Sequence, residues 1–329
     1  MKTAQAESIL ITGGAGFIGS NFVHRWRRNH PHQPILVLDK LTYAANPKFL
    51  DGVDGVSLVR GDIANLEFVR HLMETHLVRQ VVHFAAESHV DNSIKDPGVF
   101  IQTNLVGTFS LLEGARQVWA GDMETRFLHV STDEVYGALG DKGKFHEAMA
   151  YAPNSPYSAS KAGSDHLARA YHHTYGLPVL ITNCSNNYGP RQHAEKLIPL
   201  AIHRMLNELP IPIYGDGHQV RDWLFVEDHC SAIERVLTQG IPGETYCIGG
   251  NNEQKNLDLV NLLCDSVDRL TGKSIGTSRN LKTFVTDRLG HDRRYAIDAS
   301  KIQTDLGWVP ETSFELGLLR TVEWYLANA

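Results

Sequence analysis

The chain has 329 residues, of which 42% are hydrophobic and 21% charged, and its formal net charge is −6. This length allows one large or two joined domains with a substantial core. The acidic balance, without a dense Lys/Arg run, argues against a nucleic-acid partner, and no apolar stretch reaches membrane-spanning length. Four scattered cysteines and histidines without ligand spacing predict reduced core thiols, a cytoplasmic location and no bound metal.

Strand-like apolar runs alternate with amphipathic helix-like runs in the first half of the chain. This alternation predicts a Rossmann-type, doubly wound parallel α/β sheet with helices on both faces. Asp96-Pro97 is typical of a helix start and begins a helix that continues to about Val118. Strands are predicted over residues 8–12, 35–38, 56–60, 81–85, 127–131 and 179–183, and helices over 17–28, 66–76 and 156–173.

The pattern changes after Tyr188-Gly189-Pro190, where proline and glycine interrupt shorter runs. Helices are still predicted over residues 227–238, 256–270 and 314–327. We therefore predict an NAD-binding domain over 1–185, with 220–245 returning to it, and a smaller mixed α/β substrate domain over 186–219 and 246–329.

A glycine-rich loop, GGAGFIG at 13–19, lies between the first strand and the first helix. Glycines at 13, 16 and 19 allow a tight turn and close approach of the backbone to a diphosphate at the helix N-terminus. Asp39 ends the second strand, where a carboxylate accepts bonds from an adenosine ribose and repels a 2′-phosphate, so NAD is favoured over NADP. The alternative is a structural turn followed by a strand-ending Asp. The predicted cofactor-binding residues are Gly13, Gly16, Phe17, Ile18, Gly19, Asp39, Lys40, Thr42, Asp62, Ile63, Ala85, Tyr157 and Lys161.

Tyr157 and Lys161 are four residues apart on the predicted helix 156–173 and therefore share a face. A free tyrosine has a pKa near about 10, and an ammonium and a positive nicotinamide nearby would lower that pKa. Thr132 is placed to hydrogen-bond the substrate hydroxyl from which Tyr157 would remove a proton. The alternative interpretation is an exposed Tyr and Lys on an amphipathic helix.

Asp133 and Glu134 come at the carboxyl end of a predicted apolar strand. Open α/β sheets bind their ligands at the carboxyl ends of the strands. Adjacent residues of a strand face opposite ways, so both carboxyls converge only if the strand has ended before them. Once a sugar carbon is oxidised to a ketone, Glu134 would remove a proton from the adjacent carbon, and Asp133 would protonate the hydroxyl that leaves the next carbon. This division of roles requires that the environments of the two carboxyls separate their pKa values. From spacing alone, a solvated Asp-Glu pair or a helix cap is equally compatible.

These motifs resemble the extended short-chain dehydrogenase/reductase superfamily and, within it, the dTDP-glucose 4,6-dehydratase family. The likeness extends over nearly the whole chain. It is carried by GGAGFIG (13–19), HFAAESHVD (83–91), STDEVYG (131–137), YSASK (157–161), SNNYGP (185–190), EKLIPL (195–200), IYGDGHQVRDWLFVEDH (213–229) and GHDRRYAID (290–298). Asn92 and Leu289 depart from it, where the family commonly has Arg and Pro.

The resemblance implies a three-step reaction at one site. Tyr157 deprotonates the sugar 4-hydroxyl as hydride passes to NAD, Glu134 and Asp133 eliminate water across carbons 5 and 6, and hydride returns to carbon 6. Thr132 and Lys161 complete the implied catalytic set, and the product is the 4-keto-6-deoxy sugar nucleotide. The implied contacts to dTDP-glucose are Glu87, Ser88, His89, Asn186, Asn187, Lys196, Leu197, Tyr214, Arg221, Asn256, Arg288 and His291.

Three alternatives remain open at this point. A UDP-glucose 4,6-dehydratase differs in the base it binds, and a nucleotide-sugar 4-epimerase needs no acid–base pair for water loss. A non-catalytic NAD-binding scaffold would keep the fold without turnover. The resemblance also implies a homodimer through a four-helix interface built from residues 97–118 and 156–173.

Overall fold

A seven-stranded parallel sheet forms the largest layer of the molecule. Its strands are β1 (Ser8–Thr12), β2 (Ile35–Asp39), β3 (Val56–Arg60), β4 (Val78–His83), β5 (Arg126–Thr132), β6 (Val179–Cys184) and β10 (Thr245–Ile248). Their order across the sheet is β10-β6-β5-β4-β1-β2-β3, and every neighbouring pair is parallel. The computed structural model describes residues 6–287 and 292–328.

Helices cover both faces of this sheet. The α-helices in the described residues, including those of the second layer, are α1 (Phe17–Asn29), α2 (Leu66–Thr75), α3 (Val90–Lys95), α4 (Pro97–Phe100), α5 (Gly107–Trp119), α6 (Pro156–Tyr175), α7 (Leu197–Leu206), α8 (Val226–Gln239), α9 (Asn256–Leu270), α10 (Ser300–Leu306) and α11 (Phe314–Ala327). Ile9 and Ile11 of β1 pack with Phe22 of α1, whereas Leu10 packs with Leu112 of α5 on the opposite face. Because successive side chains of a strand point to opposite faces of the sheet, the residues of β1 contribute to two hydrophobic clusters, one on each face.

Two smaller sheets form a second layer. One contains β7 (Asn186–Tyr188), β9 (Val220–Phe225) and β11 (Glu253–Lys255), and the other pairs β8 (Ile211–Tyr214) with β12 (Lys282–Val285). Tyr188, Phe225, Val260 and Leu318 belong to the hydrophobic cluster that joins these sheets to α7, α9 and α11. In the part of the chain that the structure describes, no helix is both long and apolar enough to cross a membrane.

Short connections join the two layers. Ser185 is the one residue between β6 of the large sheet and β7 of the small sheet. β9 passes directly into α8, and four residues lie between β10 and β11. β10 is a strand of the large sheet and α8 packs against that sheet, whereas β9 is a strand of the small sheet. The division of the chain into two domains stays a prediction.

The predicted fold class is confirmed, with local differences. β4 covers residues 78–83 instead of 81–85, so Phe84 and Ala85 leave the sheet and line a cleft. The predicted long helix from Pro97 contains a π-helical segment over Ile101–Val106 between α4 and α5. The sequence analysis did not predict α3 or β10, since both are short.

Helix α6 has well-defined ends. The Ser155 side chain accepts a hydrogen bond from the Ser158 backbone N–H at 3.0 Å, and the Ser158 hydroxyl contacts the Ser155 backbone in return. Pro156 occupies the first turn, where its missing N–H costs nothing. Gly176 ends the helix with a φ of 69°. This geometry fixes where the side chains of α6 meet the sheet.

We predict that Ser155→Ala lowers the free energy of unfolding by about 1 kcal/mol, because it removes this N-cap. Urea denaturation followed by circular dichroism measures the change. Ser313→Ala, which removes the cap of α11, is the matched control and should cost a similar amount. A stability of Ser155→Ala equal to that of the unmodified chain would show that the cap does not hold α6.

Candidate active site

One long cleft follows the carboxyl ends of the large sheet. Its walls come from the loops after β1, β2 and β4, the turn after β5, the first turns of α6, and residues 184–196. In a parallel sheet the carboxyl ends of all strands meet at this edge, so residues far apart in sequence converge there.

The glycine loop lies at one end of the cleft. Gly13 has a φ of 70°, and a Cβ there would lie 2.7 Å from the Ala85 nitrogen. A Cβ on Gly19 would lie 2.3 Å from the Gly13 oxygen, so α1 approaches the loop too closely for any side chain. Gly16 is the N-cap of α1, without a side-chain cap. The first N–H groups of α1 are thus presented to the cleft, an arrangement that suits a diphosphate.

Two carboxylates border the same end. Asp39 is buried, and its oxygens accept hydrogen bonds from the backbone N–H groups of Ala15 at 3.0 Å and Leu41 at 2.8 Å. Each oxygen keeps a second lone pair. Asp62 pairs with Lys40 at 2.7 Å, and although burial raises its pKa, the hydrogen bonds from Lys40 and the Ala64 backbone lower the pKa overall. The cleft therefore fits a dinucleotide, while ribose binding by Asp39 stays a prediction.

The Tyr–Lys pair lies on the face of α6 that covers the end of β5. The Lys161 Nζ donates to the Val130 carbonyl at 2.8 Å, and both Tyr157 and Lys161 line the cleft. Burial, then the charge of Glu134, raises the pKa of Tyr157 above its ordinary value, whereas an adjacent ammonium was expected to lower it. In the protein without ligands, burial outweighs the expected lowering of this pKa, so the activation of Tyr157 by Lys161 and the nicotinamide stays a prediction.

The turn after β5 holds the two carboxyls. β5 ends at Thr132, and Asp133 and Glu134 lie in a 3₁₀ helix, so the alternation of the strand no longer separates them. The Thr132 hydroxyl contacts Asp133 Oδ1 at 3.4 Å and accepts from the Glu134 backbone N–H at 3.3 Å. Burial, followed by the charges of Glu134 and Asp222, raises the pKa of Asp133 well above its ordinary value. The neutral form of Asp133 is therefore favoured relative to that of an exposed carboxyl.

Five of the twelve predicted substrate residues also reach the cleft. Glu87, Ser88, Asn186, Asn187 and Lys196 all line it, and the Lys196 Nζ donates to the Ser88 carbonyl at 3.2 Å. The side-chain oxygens of Asn186 and Asn187 are buried, and within residues 6–287 and 292–328 they have no hydrogen-bond partner. Such acceptors suit a polar ligand in the cleft.

The other predicted substrate residues lie beyond the cleft walls. His89 caps α3, Leu197 begins α7, Asn256 begins α9, and Tyr214 ends β8. Their roles stay predictions. Arg288 and His291, with Leu289 between them, lie outside the described residues.

Arg221 is buried, and its contact with the substrate stays a prediction. Its guanidinium donates to the carbonyls of Val220 at 2.8 Å and Asp292 at 2.9 Å, and it stacks 4.2 Å from the centroid of the Tyr295 ring. Burial lowers its pKa, and the charge of Glu134 acts in the opposite direction. Its positive charge therefore acts on the carboxyls of the turn after β5.

The sequence analysis missed two buried positions below the cleft. Asp165 lies four residues after Lys161 on α6, and this helical spacing was a usable signal. Asn104, in the π-helical segment, donates to the Ser160 hydroxyl at 2.8 Å and exchanges hydrogen bonds with the backbone of Glu87. A π turn at Asn104 has no such signal in the residue pattern. In the described residues, no group of three His, Cys, Asp or Glu side chains is placed to hold a metal.

The fold and the cleft define the class of protein: a Rossmann-type enzyme of the short-chain dehydrogenase/reductase kind, with a Tyr–Lys pair and an additional acid–base pair. The family model for GDP-mannose 4,6 dehydratase matches residues 10–321. The chain is 56% identical to the dTDP-glucose 4,6-dehydratase of Xanthomonas campestris pv. campestris (strain B100), over 97% of this chain and 93% of that protein. The chain therefore belongs to the GDP-mannose 4,6 dehydratase family and, within it, to the group of dTDP-glucose 4,6-dehydratases.

Solved structures agree with this assignment. The dTDP-glucose 4,6-dehydratase of Bacillus anthracis in complex with NAD has a TM-score of 0.86 and 46% identity, covering 98% of this chain and 97% of that chain. The UDP-glucose 4-epimerase of Thermotoga maritima has a TM-score of 0.87 but only 28% identity, covering 98% and 99%. The fold is thus shared with epimerases, while the sequence is nearer to the dehydratases.

We predict that Gly19→Ala abolishes dinucleotide binding, because the new Cβ meets the Gly13 carbonyl oxygen and displaces the loop from α1. Isothermal titration with NAD measures the affinity. Gly140→Ala is the control, since a Cβ there meets nothing within 4 Å and should leave affinity unchanged. Retention of normal NAD affinity in Gly19→Ala would contradict the placement of the diphosphate.

Proposed function

We propose that this protein dehydrates dTDP-glucose to dTDP-4-keto-6-deoxyglucose with NAD as a permanently bound cofactor. The observation that carries the proposal is the pair of Asp133 and Glu134 beside Tyr157 and Lys161. Hydride transfer alone needs the Tyr–Lys pair and a hydroxyl, so a carboxyl of raised pKa next to a second carboxyl indicates water elimination.

The residues present fit NAD. The glycine loop and the N-terminus of α1 would hold the diphosphate, Asp39 the adenosine ribose, and Lys161 the nicotinamide ribose. When bound, NAD supplies the oxidant that accepts hydride from carbon 4 and the reductant that returns it to carbon 6. The relative from Bacillus anthracis, solved with NAD, supports this assignment.

The first task of the protein is proton removal from the sugar 4-hydroxyl. Tyr157 is the base, and Thr132 interacts with its phenol and favours the phenolate. Burial raises the pKa of the phenol in the protein alone, so the Lys161 ammonium and the positive charge that arrives with the cofactor would together make this tyrosine basic.

The second task is elimination across carbons 5 and 6. Glu134 takes the carbon 5 proton, made acidic by the neighbouring ketone, and Asp133 gives its proton to the departing 6-hydroxyl. The raised pKa of Asp133 suits the acid role, because burial and the charge of Glu134 favour the carboxyl that holds a proton. The turn that ends β5 brings both groups to the same substrate.

Three observations weigh against the alternatives. An epimerase does not need the adjacent Asp133 and Glu134 for water loss, and the epimerase structure is only 28% identical in sequence. The retained Thr132, Asp133, Glu134, Tyr157 and Lys161 argue against a scaffold without turnover. The dTDP-glucose relatives favour thymine over uracil.

A substrate panel tests the proposal. The protein is incubated with dTDP-, UDP-, CDP- and GDP-glucose, and product masses are measured. Loss of one water from dTDP-glucose is expected, with slower loss from UDP-glucose. Formation of a galactose epimer of unchanged mass would instead establish the epimerase, and no chemistry on any substrate would establish the scaffold.

We predict that Glu134→Gln separates the two tasks. Oxidation at carbon 4 should persist, whereas solvent deuterium exchange at carbon 5 and dehydration should fall by about 10²–10⁴-fold, the usual contribution of a general base. Mass spectrometry in deuterated water measures both rates. Asp133→Asn is the companion variant: it should keep carbon 5 exchange and lose dehydration. Normal exchange in Glu134→Gln would remove Glu134 from the base role.

We further propose a homodimer through the helices of residues 97–118 and 156–173. Supporting this, the apolar side chains of Val99, Ile101, Phe109 and Tyr175 are 40–55% exposed on or near these helices. Paired with the same face of a second copy, they would form a four-helix interface.

We predict that Phe109→Asp yields a monomer, since a carboxylate at a buried interface costs more than it gains. Size-exclusion chromatography with light scattering measures the mass. Phe284→Asp, at an exposed phenylalanine far from these helices, should leave the dimer intact. A monomeric unmodified protein would contradict the proposed interface.

We also propose a cytoplasmic location. Cys184, Cys230, Cys247 and Cys264 are all free and buried, as is usual for proteins of reducing compartments. Fractionation of the source cells, with antibody detection, tests this placement.

A further inference from the structure

A buried carboxylate, Asp165, joins four structural elements below the cleft. It accepts hydrogen bonds from Ser131 of β5 at 2.9 Å, Asn183 of β6 at 3.0 Å and Tyr151 of the preceding loop at 3.0 Å. His129 of β5 contributes a fourth contact at 3.1 Å, and its Nε2 must carry the proton because a carboxylate only accepts. The Asp165 side chain is only 1% exposed.

These donors keep Asp165 ionised. Burial raises its pKa, but the bond from His129, the positive charge of Lys161 and the bond from Ser131 outweigh burial, and the pKa lies below its ordinary value. His129 stays neutral, since burial lowers its pKa to about 4. The network therefore carries one negative charge.

Lys161 is one helical turn before Asp165, on the same side of α6. Its ammonium is 4% exposed and donates to the Val130 carbonyl, which carries no charge. His129, Val130 and Ser131 are consecutive in β5, so the ammonium and the carboxylate network both lie against this segment. A buried ammonium needs a negative charge nearby to remain protonated.

We propose that Asp165 is an electrostatic positioning residue: it is the fixed negative charge that keeps the Lys161 ammonium protonated inside the closed cleft. The inference deepens the proposed function, because it rests on a role for the Lys161 charge in activating Tyr157. Asp165 touches neither substrate nor cofactor in this scheme and acts through Lys161.

The surroundings of Lys161 support this assignment. Burial lowers the pKa of Lys161 to about 8, and Asp165 is the foremost group acting in the opposite direction. The neutral His83 and His129 do not supply a negative charge, and burial keeps the Cys184 thiol protonated. The titratable groups that interact with the ammonium are Asp165 on α6, His129 on β5, His83 on β4 and Cys184 on β6. Tyr157 on α6, and Asp133 and Glu134 on the turn after β5, line the same cleft as Lys161.

The test is the pH profile of dTDP-glucose dehydration by Asp165→Asn. Lys161 is active when protonated, so activity is lost as pH rises through its pKa. Removing the negative charge lowers that pKa, and the alkaline limb should move down by about one pH unit. At about pH 8 the variant should lose about fivefold in kcat, whereas at about pH 6 the loss should be under about twofold.

Tyr151→Phe is the matched control, because it removes one hydrogen bond from the network and leaves the charge. Its alkaline limb should stay with that of the unmodified enzyme. Asp165→Ser, which also removes the charge, replaces Asp165→Asn if the latter does not fold. An equal loss at every pH, or the same displaced limb in Tyr151→Phe, would overturn the proposal.

A second measurement does not need turnover and so separates this inference from the proposed function. Carbamylation by cyanate consumes the neutral amine, and peptide mass spectrometry gives its rate at Lys161 against pH. The midpoint should be about one pH unit lower in Asp165→Asn than in the unmodified protein. An unchanged midpoint overturns the role of Asp165 even if the enzyme dehydrates dTDP-glucose.

Discussion

The contact between α6 and the end of β5 determines the arrangement of the whole cleft. The hydrogen bond from Lys161 to the Val130 carbonyl fixes the height of α6 over the strand. Tyr157, one turn earlier, then lies over the point where β5 ends at Thr132, and the 3₁₀ turn follows directly. Without this contact the acid–base pair and the Tyr–Lys pair would be separate features. The N-cap at Ser155 and the hydrogen bonds of Asp165 both help to hold α6 against the end of β5.

Burial decides where protons reside in this site. Burial favours the neutral forms of Asp133 and Tyr157, and it lowers the pKa of Lys161. Asp165 is buried as deeply, yet its hydrogen-bond donors stabilise its anion. The pKa values of Asp133 and Asp165 are thus shifted in opposite directions, because the hydrogen bonds and charges around the two carboxyls differ.

The sequence predicted those features that depend on local pattern. The glycine loop, β1 and β3 followed from glycine spacing and apolar runs, and the predicted start of α6 at residue 156 matches the structure. The position of β4 was wrong by three residues at its start, because Arg79 and Gln80 obscure an apolar run there. The charge of Asp165 and the raised pKa of Tyr157 were beyond sequence reasoning, since each depends on partners from other elements that only the fold brings together.

The short connections between the large and small sheets have a mechanical consequence. Ser185 and the direct passage from Phe225 to Val226 leave almost no slack where the chain crosses between layers. A wide rotation of one layer against the other would have to break strand pairing at several crossings at once. The cleft is therefore torsionally stiff, and ligands should enter by movement of its bordering loops, not by hinged opening of two halves. Such stiffness favours a reaction whose successive steps all take place on a sugar that never leaves.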